Sequence, residues 1–173
     1  RHTSAEIFTE HPVSGFGRYS FTLETPEWEW HPALVLGFFL YEYRGPDATP
    51  QEYELDIEIA RWGVPGAPLG NHTLMFRPAG EGSTIVPGHT FDLPREYPYT
   101  HHTIEWSKGA VEFASYGIDR WGRRHLISSA SFFGPRVPPV SRQHLHINFW
   151  LFGSPQLPRR WERAVTINDV TVN

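Results

Sequence analysis

The chain has 173 residues, of which 39% are hydrophobic and 20% charged, a composition typical of one folded domain rather than of a disordered segment. A net charge of −4 without any basic run argues against a general nucleic-acid binder, which needs an excess of Lys and Arg. The absence of cysteine excludes disulfides, thiolate catalysis and cysteine-based metal sites, and the longest apolar run, Ala33–Leu40, is too short to span a membrane.

Proline and glycine are spread along the whole chain and argue against long helices, because Pro breaks a helix and Gly weakens it. Between these residues lie short alternating or apolar runs: Gly17–Glu24, Ala33–Tyr43, Glu52–Ala60, Thr73–Arg77, His102–Trp106, Ala110–Ser115, His125–Ser131, His144–Phe152 and Ala164–Val172. Many short strands separated by turns predict an all-β sandwich or barrel. No internal repeat and no change in composition marks a second domain.

Aromatic residues make up 15% of the chain and include seven Trp. A dense core can absorb several Trp, although each indole N–H then needs a partner. Exposed Trp and Tyr rings can also stack on the apolar faces of sugar rings. Composition alone favours the core and leaves the sugar-binding alternative open.

The most informative segment, residues 52–63, reads EYELDIEIARWG. Alternate residues of a strand share a face, so Glu54, Asp56 and Glu58 project to one side and the intervening aliphatic residues to the other. An ordinary solvated strand shows the same alternation. Three successive acids without a neighbouring Lys or Arg repel one another, however, and acidic residues are poor strand formers, so a functional interpretation is equally tenable.

The chemistry of such a triad fits a glycosidase. Hydrolysis with retention needs two carboxyl groups about 5–5.5 Å apart, one as nucleophile and one as acid/base. Asp56, between the two Glu residues, would raise the proton affinity of a neighbouring carboxyl through its like charge. One Glu would then stay protonated as the acid while the other is ionised.

The segment ELDIE resembles the ExDxE signature of glycoside hydrolase family 16, which includes lichenases, laminarinases and xyloglucan transglycosylases. Further segments in family order are similar to its strands: Gly15–Tyr19, Gly37–Tyr41, Ile104–Trp106, Val111–Phe113 with Gly117, Ile147–Trp150 and Val165–Val172. The resemblance spans nearly the whole chain. Only three residues precede Ser4, where family members usually carry further sequence, so the expected single domain over residues 1–173 leaves open whether an N-terminal strand is missing.

The resemblance implies a concanavalin A-like β-sandwich, or jelly roll, with a concave substrate cleft. It implies that Glu54 is the nucleophile, Glu58 the general acid/base and Asp56 the residue that orients and tunes the nucleophile. Asn148 and Trp150 would line the concave face, with Trp150 stacking on a sugar. Phe39 and Tyr41, which alternate onto one face, would border the cleft and complete the substrate-binding set.

The resulting expectation is a secreted, periplasmic or cell-surface monomer that hydrolyses a β-1,3 or mixed β-1,3/1,4-glucan. Its only partner would be the polysaccharide, without nucleic acid or membrane. No cofactor is expected because two carboxyls suffice, and no metal site is predicted. The alternatives are a lectin-like sandwich without turnover and a transglycosylase of the same family.

Histidine pairs are the remaining candidates for a metal site. His144 and His146 share one face of a predicted strand, and packing or polar contacts at the edge of the cleft are favoured over metal binding, since structural zinc needs four ligands. His101 and His102 are predicted at a loop or strand start and are interpreted in the same way.

Overall fold

A computed structural model describes residues 4–42, 52–77, 84–158 and 161–172. Across these ranges the chain forms β-strands joined by turns, and no helix there is long and apolar enough to cross a bilayer. The strands are β1 (Ala5–Phe8), β2 (Gly17–Glu24), β3 (Leu34–Tyr41), β4 (Glu52–Ala60), β5 (Gly70–Arg77), β6 (Thr84–Phe91), β7 (Tyr99–Ser107), β8 (Ala110–Ile118), β9 (Arg124–Phe133), β10 (His144–Leu151) and β11 (Ile167–Val172).

The strands form two antiparallel sheets. The first has six strands in the order β1-β10-β3-β4-β5-β6, and the second has five in the order β11-β2-β7-β8-β9. Every neighbouring pair is antiparallel. The predicted jelly-roll sandwich is therefore confirmed, and the acidic segment occupies β4, in the interior of the first sheet.

The hydrophobic core lies between the two sheets. Leu55, Ile57 and Ile59 of β4 point into it and are at most 1% exposed. Phe38 of β3 stacks on Phe21 of β2 with ring centroids 4.6 Å apart, which joins the two layers. Each such side chain contributes about 1.5–3 kcal/mol when it is withdrawn from water, so the aliphatic positions of the acidic strand anchor its backbone firmly.

A hydrogen-bonded polar cluster also crosses the core. Ser115 Oγ of β8 lies 2.9 Å from His72 Nε2 of β5 and 2.8 Å from His102 Nδ1 of β7. Burial, aided by neighbouring imidazoles, lowers the pKa of His72 and of His102 to about 3. Both rings are therefore neutral at ordinary pH, and they link the first sheet to the second through one hydroxyl.

All nine predicted runs contain a strand, and two strands were not predicted. β1 has only four residues, all exposed, and β6 contains the pair Pro87-Gly88, which is atypical of a strand interior. His101 and His102, predicted at a loop or strand start, are the third and fourth residues of β7 and are buried. His101 Nδ1 lies 2.9 Å from Thr22 Oγ1, and the His102 ring stacks on Phe21. Tyr43, at the end of one predicted run, lies outside the described residues.

Candidate active site

The alternation along β4 separates its acidic from its aliphatic side chains as predicted. Glu54, Asp56 and Glu58 lie on the face of the first sheet that is turned away from the core. Asp56 is only 4% exposed and the two Glu residues are half-buried. A solvated strand would leave its acids in open water, whereas these three are crowded and partly desolvated.

Asp56 is the central and most buried member of the triad. Its cross-strand neighbours are Phe39 on β3 and Thr73 on β5. Burial, followed by the negative charges of Glu54 and Glu58, raises the pKa of Asp56 well above its ordinary value, and a hydrogen bond with Glu54 acts in the same direction. Asp56 therefore keeps its proton to higher pH than an ordinary Asp, and the protonated form donates a hydrogen bond to Glu54.

Glu58 has the pKa best placed for acid–base chemistry. Burial and the charge of Glu54 raise the pKa of Glu58 to about 7, while the Thr73 hydroxyl, hydrogen-bonded to the Glu58 carboxylate, acts in the opposite direction. Its cross-strand neighbours are Gly37 and Asn71. A carboxyl that gains and loses its proton near neutrality can act first as an acid and then as a base.

Gly37 and Asn148 form a close contact beside Glu58. Gly37 lies directly across from both residues, and its backbone N–H donates to Asn148 Oδ1 at 3.1 Å. A Cβ at Gly37 would lie 2.7 Å from that oxygen, so the position accepts only glycine without rearrangement. The hydrogen bond fixes the Asn148 amide on the same face as the carboxylates.

Phe39 and Tyr41 also lie on this face. Both contact His146, which belongs to an aromatic stack with Phe39 and with Phe8, a residue that was not predicted. His146 is sandwiched between Phe39, 5.0 Å away, and Phe8 of β1, 5.3 Å away. His146 Nδ1 lies within hydrogen-bonding distance of Glu6 Oε1, at 2.9 Å, and the Tyr41 ring meets the imidazole edge-on at 6.0 Å. The stack extends the face from the carboxylates to the edge of the sheet.

Trp150 belongs to a second aromatic cluster, toward the other end of β4. Its ring centroid lies 6.0 Å from that of Trp62 and 6.2 Å from that of Phe152, and the last two rings are 5.3 Å apart. Trp62 follows β4 with a φ of 49°, an uncommon conformation for a bulky residue. The cluster thus lies at the end of β4 that is nearer to Glu58.

His144 and His146 form polar contacts with β1 and with Thr9, the residue that follows it. His144 Nδ1 lies 2.7 Å from the carbonyl oxygen of Thr9, and His146 pairs with Glu6. The predicted packing and polar contacts are therefore present. Within the ranges that the structure describes, no group of three or more His, Asp or Glu side chains is arranged to hold a metal ion.

The structure thus brings together on one face all seven residues that were named from the sequence: Glu54, Asp56, Glu58, Phe39, Tyr41, Asn148 and Trp150. Sequence reasoning missed Thr73 and Phe8. Thr73 is the first residue of a predicted run, but the face on which it lies depends on the pairing of β5 with β4. That pairing is set by the loop between the two strands and cannot be predicted from residue spacing. Phe8 lies in a short exposed strand without a hydrophobic pattern.

The sequence matches no protein-family model and no curated protein. Similar solved structures include a β-1,3-1,4-glucanase (lichenase) derived from a mouse hindgut metagenome, with 18% identity and a TM-score of 0.51 over 84% of this chain. They also include the catalytic domain of an endo-1,3-β-glucanase (laminarinase) from Thermotoga petrophila RKU-1, with 17% identity and a TM-score of 0.53 over 95% of this chain. The chain spans 57% and 64% of these two structures.

Scytalido-glutamic peptidase, with a peptide-based transition-state analogue, is similar as well, with 11% identity and a TM-score of 0.50 over all of this chain and 76% of the peptidase. Glucanases and a peptidase thus share this architecture, and function has to be argued from side chains. At these identities, the likeness establishes that the chain has the jelly-roll fold of the β-sandwich glucanases.

Proposed function

We propose that the chain is a retaining endo-glycosidase that hydrolyses a β-1,3 or mixed β-1,3/1,4-glucan. The observation that carries the proposal is the crowded triad on β4, in which Glu58 has a pKa of about 7 and Glu54 accepts a hydrogen bond from Asp56. A lectin gains nothing from three partly buried carboxylates whose repulsion destabilises the fold. Because a polysaccharide is too large to enter a cell, a secreted, periplasmic or cell-surface location is part of the proposal.

In the first step the Glu54 carboxylate attacks the anomeric carbon, and the protonated Glu58 donates its proton to the glycosidic oxygen. The bond between the anomeric carbon and that oxygen breaks. One half of the polymer leaves with a new hydroxyl, and the other half becomes an ester of Glu54. Asp56, hydrogen-bonded to Glu54, orients the nucleophile.

In the second step Glu58, now ionised, takes a proton from water, and the oxygen of that water attacks the anomeric carbon. The ester breaks, the Glu54 carboxylate is restored and Glu58 is protonated again. Two displacements at one carbon give net retention. Loss of the substrate's leaving group relieves crowding around Glu58, and the new ester removes the charge of Glu54, so the pKa of Glu58 falls when it has to act as a base.

The aromatic clusters on either side of the triad are proposed to hold the sugar rings. Trp150 and Trp62 would stack on rings toward the end of β4 beyond Glu58, and Phe39 with Tyr41 would border rings on the other side. Asn148, whose Oδ1 is engaged by the Gly37 N–H, would present its Nδ2 as a donor to a sugar hydroxyl. Together these residues predict internal cleavage of a long chain, because platforms lie on both sides of the carboxylates.

Digestion of laminarin, lichenan and xyloglucan, followed by a reducing-end assay, tests the proposal. Wild-type protein should release reducing ends from at least one glucan, and NMR of the first product should show a β-anomer. Glu54→Gln and Glu58→Gln should each lower kcat by at least about a thousandfold, because each removes a reacting group. Glu112→Gln, at an exposed site of the second sheet, is the matched control and should retain full activity.

Each other result identifies a different function. Binding of a glucan without release of reducing ends would establish a lectin, and lengthened products with an added acceptor sugar would establish a transglycosylase. Casein is included because a peptidase shares the fold. Cleavage of casein, or full glucanase activity in a correctly folded Glu54→Gln variant, would overturn the proposal.

A further inference from the structure

Two adjoining cavities open at one end of the sandwich, away from the acidic face. The smaller has a volume of about 120 Å³ and the larger about 370 Å³, and they share Glu29, Trp30 and Arg61. Arg61 lies two residues after Ile59 and directly beyond the end of β4. Its side chain therefore points to the core side of the sheet, opposite to that of Glu58. The cavities are therefore separate from the carboxylate triad, and an inference about them does not depend on the proposed function.

Arg61 forms no direct ion pair within the described part of the chain, although Glu29 lines the same two cavities. Its half-buried guanidinium makes no hydrogen bond and no ion pair with any residue that the structure describes, and its buried Nε has no partner. A charge withdrawn from water without a partner is unfavourable, whereas a guanidinium binds a carboxylate through two parallel hydrogen bonds. A carboxylate in the cavity could form such a pair with Arg61.

Flat aromatic surfaces and further cations surround Arg61. Trp28 and Trp30 both line the smaller cavity, with ring centroids 5.3 Å apart and planes 31° apart. Arg95 lines the same cavity, and Arg163 lines the larger one with its guanidinium over Trp28. Three arginines face one acid, Glu29, so the electrostatic balance of the paired cavities favours an anion.

We propose that the paired cavities bind a small ligand composed of a six-membered ring that bears a carboxylate. The carboxylate pairs with the Arg61 guanidinium, and the ring lies against Trp28 and Trp30. The smaller cavity, at about 120 Å³, is well above the roughly 10–15 Å³ that one water needs, so it has room for a group larger than a single solvent molecule. A hexuronic acid and an aromatic acid share this chemistry.

Isothermal titration calorimetry with D-glucuronate and with benzoate tests the proposal, using D-glucose, benzamide and acetate as probes that lack either the charge or the ring. At least one of the two ring carboxylates should bind. Its neutral counterpart and acetate should bind at least about tenfold more weakly, because each loses one of the two contacts. Binding of glucuronate alone identifies an acidic sugar, and binding of benzoate alone an aromatic acid.

Variants separate Arg61 from general surface charge. Arg61→Gln should weaken binding at least about tenfold, Arg61→Lys should weaken it less, and Arg142→Gln, at an exposed site elsewhere, should leave it unchanged. Glu29→Gln should strengthen binding by removing a repulsive charge. A water-mediated Arg61–Glu29 pair would instead make Glu29→Gln destabilise the fold without improving binding, and that result overturns the proposal. So does equal binding of the neutral probes, or unchanged affinity in either folded Arg61 variant.

Discussion

At Asp56, three conditions that favour a neutral carboxyl act together: burial, two like charges on the same strand, and a carboxylate that accepts its proton in a hydrogen bond. Glu58 experiences similar effects to a smaller degree, and the Thr73 hydroxyl partly offsets them. The acid/base behaviour proposed for Glu58 therefore depends on a residue of the neighbouring strand that does not react. Thr73 is a positioning residue in this description.

Replacing Thr73 with Val should move the alkaline limb of the kcat/KM profile to higher pH. The hydroxyl stabilises the ionised carboxylate, so its loss raises the pKa of Glu58 and keeps the acid protonated over a wider range. The rate at the optimum should change by less than about tenfold. The measurement is a pH–rate profile on the best glucan, with Thr90→Val, at an exposed site on β6, as the control. A shift to lower pH, or an equal shift in the control, would contradict this role.

At the scale of the strand, β4 shows what sequence can and cannot supply. The alternation of acid and aliphatic residues is a local property, so it predicted the two faces of β4 correctly. The register between β4 and its neighbours depends on the loops that join them, so it could not be predicted from the spacing of residues along β4. Gly37 illustrates the difference: the sequence matched it to a strand of the family, but its place opposite Glu58 and Asn148 emerged only from the structure.

Gly37→Ala should destabilise the protein by about 1–3 kcal/mol, because its Cβ would lie 2.7 Å from Asn148 Oδ1. The same substitution in an Asn148→Ala background should cost distinctly less, since the obstructing oxygen is gone. Urea unfolding of the four proteins in this double-mutant cycle gives the coupling free energy. Equal costs in the two backgrounds would show that another contact governs the position.

For the whole molecule, stability should depend on pH through two opposing sets of buried groups. His72 and His102 have pKa values lowered from 6.5 to about 3, so the stability they confer is present above pH 6.5 and is lost as the pH falls toward 3. Glu58 has a pKa raised from 4.5 to about 7, so its contribution is present below pH 4.5 and is lost as the pH rises through 7. Between pH 4.5 and 6.5 the two slopes oppose each other.

Asp56, whose pKa is also raised by burial and by the charges of Glu54 and Glu58, acts in the same direction as Glu58, so two carboxyls oppose two imidazoles. We expect the free energy of unfolding to be nearly level between these limits and to fall on both sides, by up to about 1.4 kcal/mol per pH unit for each titrating group. Glu58→Gln should reduce the alkaline decline and leave the acid decline intact. His102→Gln, which keeps hydrogen-bonding capacity, should reduce only the acid decline. Urea unfolding at a series of pH values measures both slopes, and parallel wild-type and variant curves would refute the assignment.

The sequence of the whole chain predicted the sandwich, and the residues that it suggested for a site lie on one face of the first sheet. Both predictions were possible because alternation, turn residues and family-like segments are local signals. The sequence did not predict the buried link through His72, His102 and Ser115, which joins residues from three strands. Neither did it reveal the paired cavities around Arg61, whose walls come from distant segments. Such features depend on how strands are stacked, and a pattern along one strand carries no information about stacking.

The position of β10 between β1 and β3 has a consequence for synthesis. On the ribosome, β3, β4 and β5 emerge well before His144–Leu151, so the edge of β3 that β10 later covers remains unpaired until β10 has been synthesised. An unpaired edge is a template for association with other nascent chains. Closing the sheet also joins residues separated by more than a hundred positions, a step that slows folding. A product released early, before β10 is complete, should therefore aggregate rather than persist as a smaller sandwich.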